Sequence, residues 1–441
     1  MEDCREGVGA MRYLISAPIV LSVVILGLYA WVDRYSEIDA IKPLAVNAFD
    51  KTVIDKGASL VAIGDCEVCH TKPGGESLAG GREIRTPFGT ILSTNITPDV
   101  GTGIGAWSLP AFTRALREGV DRFGRYLYPA FPYDHFTKVK DDDIAAIYAY
   151  LMTLPPVSAP KPKNELPFPY NVRVLLAGWN FLFLRQGAYS PDPARDDQWN
   201  RGAYLVEGIG HCGACHTPRN IFGAERRSSA RFAGETLEGW HAPALNMASP
   251  APAPWTADAM VNFLLDGWDG DHGIAAGTMT AVVNGLGSLS EDDAYAIATY
   301  ILSFQDQTNV DARTKAAKSF AEKVAFGPSS PAPSQLGAAS ERGEATFARV
   351  CANCHRAGTN TAALALSSVV SGPDPRNLIH IIDQGIEPPQ NALDHSMPAF
   401  GGTLSASDLA DLVTFVRSRF SEKPAWSNVS VLITEARAAE Q

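Results

Sequence analysis

The chain has 441 residues, 46% of them apolar and 19% charged, with a formal charge of -11. That is globular composition, with length for about three domains at roughly 150 residues each, and it excludes a disordered or low-complexity protein. An acidic balance with no basic block also excludes nucleic acid as a partner.

Residues 1–34 open the chain. Within them Tyr13 to Val32 is a twenty-residue run without a charge, long enough as a helix to cross a hydrocarbon layer of about 30 Å. Arg12 precedes it and Asp33-Arg34 ends it. A secretory signal is the alternative, but Leu28-Tyr29-Ala30 is a poor cleavage pattern, so the run is read as a retained transmembrane anchor. Met11 is a second candidate start, which would remove Cys4 and the acidic leader.

After a spacer, one layout occurs three times, over 45–155, 196–306 and 339–421. Each copy opens with a short helix carrying Gly: Lys56-Gly57-Ala58, Arg201-Gly202-Ala203 and Arg342-Gly343-Glu344. A C-x-x-C-H motif follows: Cys66-Glu67-Val68-Cys69-His70, Cys212-Gly213-Ala214-Cys215-His216 and Cys351-Ala352-Asn353-Cys354-His355. A middle helix then ends on Gly119, Gly267 or Gly385, residues able to take the left-handed conformation that closes a helix. Last comes an amphipathic helix with apolar residues at i, i+3, i+4 and i+7: Ile144, Ile147, Tyr148, Leu151; Ala294, Ile297, Ala298, Ile301; Leu409, Leu412, Val413, Val416. Ser290 with Asp293 and Ser405 with Asp408 predict capping boxes; Lys140 is a weaker cap.

Between copies, 156–195 is read as a proline-rich linker with an amphipathic helix over the apolar stretch Val172 to Leu184, which is too short and polar to span a bilayer. Interdomain packing is its expected role, with an interfacial surface near a quinone or partner as the alternative. Residues 307–338 read as a second linker and 422–441 as a tail.

Six of the seven cysteines lie in the three motifs. This is the spacing at which two thiols bond a haem's vinyl groups and the next His ligates its iron. A single C-x-x-C would also suit a redox dithiol or half a zinc site; three copies, each followed by His and spaced like domains, displace that reading. Three covalently bound haem c groups are expected, on Cys66, Cys69, Cys212, Cys215, Cys351 and Cys354, with His70, His216 and His355 on the irons. The expected fold is all-α: three tandem class I cytochrome c domains behind an N-terminal transmembrane helix. Haem attachment takes place outside the cytoplasm, which puts the domains on the periplasmic side of the inner membrane.

The sixth ligand of each iron should lie just ahead of the closing helix. Met279 precedes Ser290 by eleven residues and Met397 precedes Ser405 by eight; both are expected axial ligands, which raise the reduction potential. Met247 and Met260 are weaker rivals. The first copy has no Met between His70 and Lys140, and its equivalent slot holds Phe131. His135 is the candidate ligand there; a five-coordinate iron under Phe131 and a structural His135 are the alternatives. His211, His241, His272, His380 and His395 are read as pocket or surface residues.

On these motifs the chain resembles the three-haem cytochrome c subunits of bacterial membrane-bound dehydrogenases acting on alcohols, aldehydes, gluconate, fructose or N-heteroaromatics. The matching stretches include Thr86-Pro87-Phe88-Gly89-Thr90, Ser93-Thr94-Asn95-Ile96-Thr97-Pro98-Asp99, Gly103-Ile104-Gly105-Ala106-Trp107-Ser108 and Gly210-His211-Cys212-Gly213-Ala214-Cys215-His216-Thr217-Pro218-Arg219-Asn220. Quinoprotein alcohol and sugar-dehydrogenase members usually carry Met where this chain has Phe131. Pro129-Ala130-Phe131-Pro132-Tyr133-Asp134-His135 looks more like members that partner molybdenum hydroxylase-type aldehyde or heteroaromatic-ring dehydrogenases. The resemblance implies an electron-transfer subunit that does not itself oxidise substrate, a catalytic dehydrogenase partner with or without a small iron-sulfur subunit, and ubiquinone or a terminal oxidase as acceptor. An alternative of another class is a haem peroxidase using an open first haem.

Overall fold

The computed structural model describes residues 35–160, 163–327, 338–359 and 361–439. The anchor expected at Tyr13–Val32 lies outside them. Among the described residues no helix is long and apolar enough to cross a membrane.

The first copy of the layout folds as α1 (Lys51–Ile63), α2 (Cys66–His70), the hairpin β1 (Glu83–Thr86) and β2 (Gly89–Leu92), α3 (Leu109–Glu118), α4 (Tyr133–Phe136) and α5 (Asp141–Thr153). Helix α6 (Leu175–Phe183) leads to the second: α7 (Asp197–Glu207), α8 (Gly213–His216), β3 (Glu235–Leu237), β4 (Trp240–Ala242), α9 (Ala257–Asp266), β5 (Trp268–Asp269), β6 (Gly273–Ile274), α10 (Thr278–Leu286) and α11 (Glu291–Leu302). Helix α12 (Val310–Val324) precedes the third: α13 (Ala338–Val350), α14 (Ser368–Ser371), α15 (Arg376–Gln384), α16 (Ala406–Phe420) and α17 (Val429–Ala439).

In each unit the opening helix crosses the closing helix at its glycine. A Cβ on Gly57 would stand 2.0 Å from the Ala146 carbonyl oxygen, one on Gly202 1.9 Å from that of Ala296, and one on Gly343 2.1 Å from that of Asp411. No other residue lets the two backbones touch. An aromatic side chain, Tyr150, Tyr300 or Phe415, packs beside each contact. Ion pairs close the crossings: Arg201 forks onto Asp293 at 2.7 and 2.8 Å, Arg342 onto Asp411 at 2.6 and 3.0 Å, and Lys56 meets Asp143.

Ser290 accepts from the Asp293 N–H at 3.2 Å and Ser405 from that of Asp408 at 3.1 Å. Lys140 makes no side-chain cap; Asp141, Asp142 and Asp143 in the first turn of α5 face the helix dipole instead. Gly119 and Gly267 close α3 and α9 at φ 62° and 76°.

Several sequence expectations need correction. The fold is mainly helical, yet three two-stranded antiparallel hairpins interrupt it, turned by positive-φ glycines such as Gly89 and Gly239. The stretch read as a linker at 307–338 holds α12, whose Phe320 and Ala321 pack into the third core. The tail forms α17, with Ile433 fully buried and Arg437 held by Asp383 at 2.8 and 2.9 Å. One apolar core runs unbroken through the first two units; the third has its own.

Candidate haem-binding site

All three motifs open into one continuous cavity of about 1810 Å³. At the first, α1 ends at Gly64 and Asp65 takes the left-handed conformation, φ 53°, which turns the chain into α2. Cys66, Cys69 and His70 line the cavity, as do Cys212, Cys215 and His216, and Cys351 and His355. Cys354 is exposed.

The loop Ser93–Asp99 and its counterpart around Pro243 present backbone carbonyls to the motif histidines. His70 Nδ1 lies 2.6 Å from the Thr94 carbonyl oxygen and His216 Nδ1 2.7 Å from that of Pro243. A carbonyl only accepts, so Nδ1 carries the proton and Nε2 keeps its lone pair for a metal. Asn95 braces the first loop through its contacts to Thr102 and the Val157 carbonyl at 3.0 and 2.7 Å. His355 Nδ1 is buried with no partner among the described residues.

Burial lowers the pKa of His70, His216 and His355 below the usual 6.5, so each imidazole is neutral near pH 7. Burial pushes Cys66 and Cys212 up to about 12, and Cys215 and Cys351 to about 11. Such thiols stay protonated and are poor nucleophiles. Among the described residues the only close grouping with metal-ligand geometry is Asp134, His135 and Glu225, so the two thiols and imidazole of a motif do not converge on one ion. At the first two motifs, two free thiols and one neutral imidazole on an apolar cavity fit a covalently attached porphyrin; at the third, Cys351 and His355 do.

Met279 lines the cavity at the start of α10, and Met397 lines it next to the bridge that pairs it with Ile386. Met260 also lines it, from α9, while Met247 is 72% exposed. In the second unit the Ala275 N–H binds the Gly267 carbonyl at 2.8 Å, and in the first the Leu127 N–H binds that of Gly119 at 2.7 Å. Met279 and Phe131 each follow that anchor by four residues, so Phe131, also on the cavity wall, holds the methionine's place.

His135, the expected sixth ligand of the first iron, is placed elsewhere. It is buried between the first two units and does not line the cavity. Its Nδ1 donates to the Glu207 carbonyl at 3.0 Å and its Nε2 meets Glu225 Oε1 at 2.7 Å, leaving no free nitrogen. Burial pulls its pKa down, but the Glu225 carboxylate, with Asp134 and Glu207 behind, outweighs this and raises it to about 9.

Of the other histidines, His211, His241 and His272 border the cavity. His211 Nε2 lies 3.1 Å from the Gly64 carbonyl, His241 Nδ1 3.1 Å from Thr236 Oγ1, and His272 Nδ1 2.7 Å from Asp269. His380 stacks on Trp240 with ring centroids 4.9 Å apart. Sequence reasoning missed Arg82, which lines the cavity near Cys69 and reaches Glu238 of the second unit at 2.8 Å. It also missed Thr94 and Pro243, whose backbone oxygens carry no sequence signature.

Residues 338–416 match the family described as cytochrome C oxidase, cbb3-type, subunit III. Fold and site thus define a c-type cytochrome that binds haem covalently. The chain is 34% identical to the cytochrome c subunit of the quinone alcohol dehydrogenase of Komagataeibacter europaeus, covering 88% of this chain and 85% of that one. It is 37% identical to the gluconate 2-dehydrogenase cytochrome c subunit of Pantoea cypripedii, over 85% and 87%. A nicotinate dehydrogenase subunit of Pseudomonas putida is 42% identical over 91% of this chain, which spans only 33% of that protein's length. The chain belongs to the family of cytochrome c subunits of dehydrogenases.

Proposed function

We propose that the chain is the three-haem electron relay of a membrane-bound dehydrogenase complex on the periplasmic face of the inner membrane. The observation that carries this reading is the single cavity shared by all three motifs. Cys66 with Cys69, Cys212 with Cys215, and Cys351 with Cys354 would each hold one haem c, with His70, His216 and His355 on the irons and Met279 and Met397 opposite the latter two. Bound haem supplies one-electron transfer. The chain's own residues do the rest: the Thr94 and Pro243 carbonyls fix the tautomer and orientation of two histidines, and the apolar walls exclude water. Phe131 offers no ligand atom, so the first haem differs from the two His/Met haems and the potentials are graded.

The names of the relatives support a catalytic dehydrogenase subunit as donor and a quinone, read here as ubiquinone, as acceptor. The Phe131 variant and the nicotinate dehydrogenase relative together favour a molybdenum hydroxylase-type catalytic subunit, with a small iron-sulfur subunit, acting on an aldehyde or an N-heteroaromatic ring; a quinoprotein alcohol or flavoprotein sugar dehydrogenase is the rival. Purification in mild detergent tests this. Pyridine haemochrome absorbance should give three haems per chain, and metal analysis of the co-purifying large subunit should give molybdenum. Any other haem count overturns the relay as drawn, and pyrroloquinoline quinone or flavin in place of molybdenum overturns the partner. Phe131 also favours a second reading, peroxidase action at an open first haem, which peroxide turnover by the isolated chain would establish.

A further inference from the structure

One cluster of metal-ligating side chains takes no part in holding a haem. Asp134 and His135, on α4 of the first unit, meet Glu225 of the second at the seam between them, and one ligand atom of each lies within 4.8 Å of the others. His135 is buried and the two carboxylates are half-buried, which leaves an ion a way in. His135 Nδ1–H is committed to the Glu207 carbonyl, so Nε2 is the one ring nitrogen able to face an ion. A carbonyl behind the ring is the usual support of a metal-bound imidazole. That Nε2 points at Glu225 Oε1, 2.7 Å away.

The charges ask for a cation. Asp134 accepts no hydrogen bond from another described residue, and burial raises its pKa. Arg219, whose charge reaches both carboxylates, spends its guanidinium on the Gly223 and Ala214 carbonyls at 2.8 Å each. Two carboxylates are thus left with the proton on His135, and a poorly compensated carboxylate is costly to bury. Space is kept for the group by Gly213 of the second motif, where a Cβ would lie 2.9 Å from Glu225 Oε2 and 3.1 Å from His135 Cε1. One imidazole nitrogen among carboxylate oxygens suits zinc, whereas calcium and magnesium take oxygen alone. Zinc accepts three protein ligands with water as the fourth, and its bonds set neighbouring ligand atoms about 3.4 Å apart, a spacing these three reach with small side-chain shifts.

We propose that Asp134, His135 and Glu225 bind one zinc ion across the seam, clasping the first unit to the second, with the His135 Nε2 proton leaving as the ion enters. In the zinc-free protein that proton stands in for the ion. The test takes the full-length haem-loaded protein, strips it with a chelator and dialyses it against micromolar zinc at mildly alkaline pH. Elemental analysis should find one zinc per chain beside the haem iron. Zinc X-ray absorption should show one imidazole and oxygen neighbours, and Asp134→Asn and Glu225→Gln should each lose the zinc at unchanged haem content. No retained zinc, equal zinc in the wild type and both variants, or sulfur neighbours at the ion would each overturn the proposal. A variant that fails to fold shows in its haem absorbance, and the ligand set of the wild type then decides alone. Bound zinc is read without any electron transfer, so failure of the relay reading shows separately, in the haem count.

Discussion

The buried His135–Glu225 pair makes a prediction that also separates the two roles open to His135. Folding moves its pKa from 6.5 to about 9, which corresponds to about 3 kcal/mol. The sign follows from the direction. A raised pKa means the folded chain binds the proton more tightly, so the stabilisation is complete below pH 6.5 and is lost as pH climbs through 9. In His135→Gln the side chain fills similar space without the charge. The urea midpoint of the haem-loaded protein, followed by far-ultraviolet circular dichroism, should therefore fall by an amount worth about 3 kcal/mol at pH 6, and the difference from wild type should shrink toward pH 9.5. The absorbance spectrum of every haem should stay unchanged. A pH-independent difference would refute the ion-pair argument, and a change in one haem's spectrum would restore His135 as a ligand.

Gly202→Ala puts a methyl 1.9 Å from the Ala296 oxygen and should cost about 1–3 kcal/mol, whereas Gly178→Ala in α6 meets nothing within 4 Å and should gain up to about 1 kcal/mol; thermal melts of the two should shift in opposite directions. Met279→Ala and Met397→Ala should each lower the potential of one haem, read by redox titration, and leave the others in place. Phe131→Met should raise the potential of the first haem and abolish any carbon monoxide binding there.

Features with a local cause were legible in the sequence. The Ser290 and Ser405 caps and the three motifs each depend on residues within one or two turns. The location of His135 depended on Glu207 and Glu225, which lie 72 and 90 residues away, and no local pattern carries such pairing. Helix α12 was hidden for another reason: its few apolar residues, such as Phe320 and Val324, sit in a polar stretch and acquire a face only against the third core. The hairpins are two to four residues long, too short for alternation to show.

The cores divide the molecule differently from the motifs. Ile209 of the second unit presses on Gly64 of the first, where a Cβ would lie 2.9 Å from its Cδ1, and the Tyr204 hydroxyl donates to Asp143 across the same seam. The motif cysteines Cys69 and Cys215 lie along this seam: Cys215, raised chiefly by burial, also feels Cys69, and Arg82 bridges to Glu238 alongside. The third core takes in only Ala253 of the second unit among its buried residues. The third unit meets the second through reciprocal 2.8 Å hydrogen bonds between Asn377 and the His241 backbone and through the Trp240–His380 stack. Fields act strongly across a buried seam and weakly across a polar contact. In the proposed relay, charge on either of the first two haems would therefore shift the other's potential most, while the third would answer mainly to its own pocket.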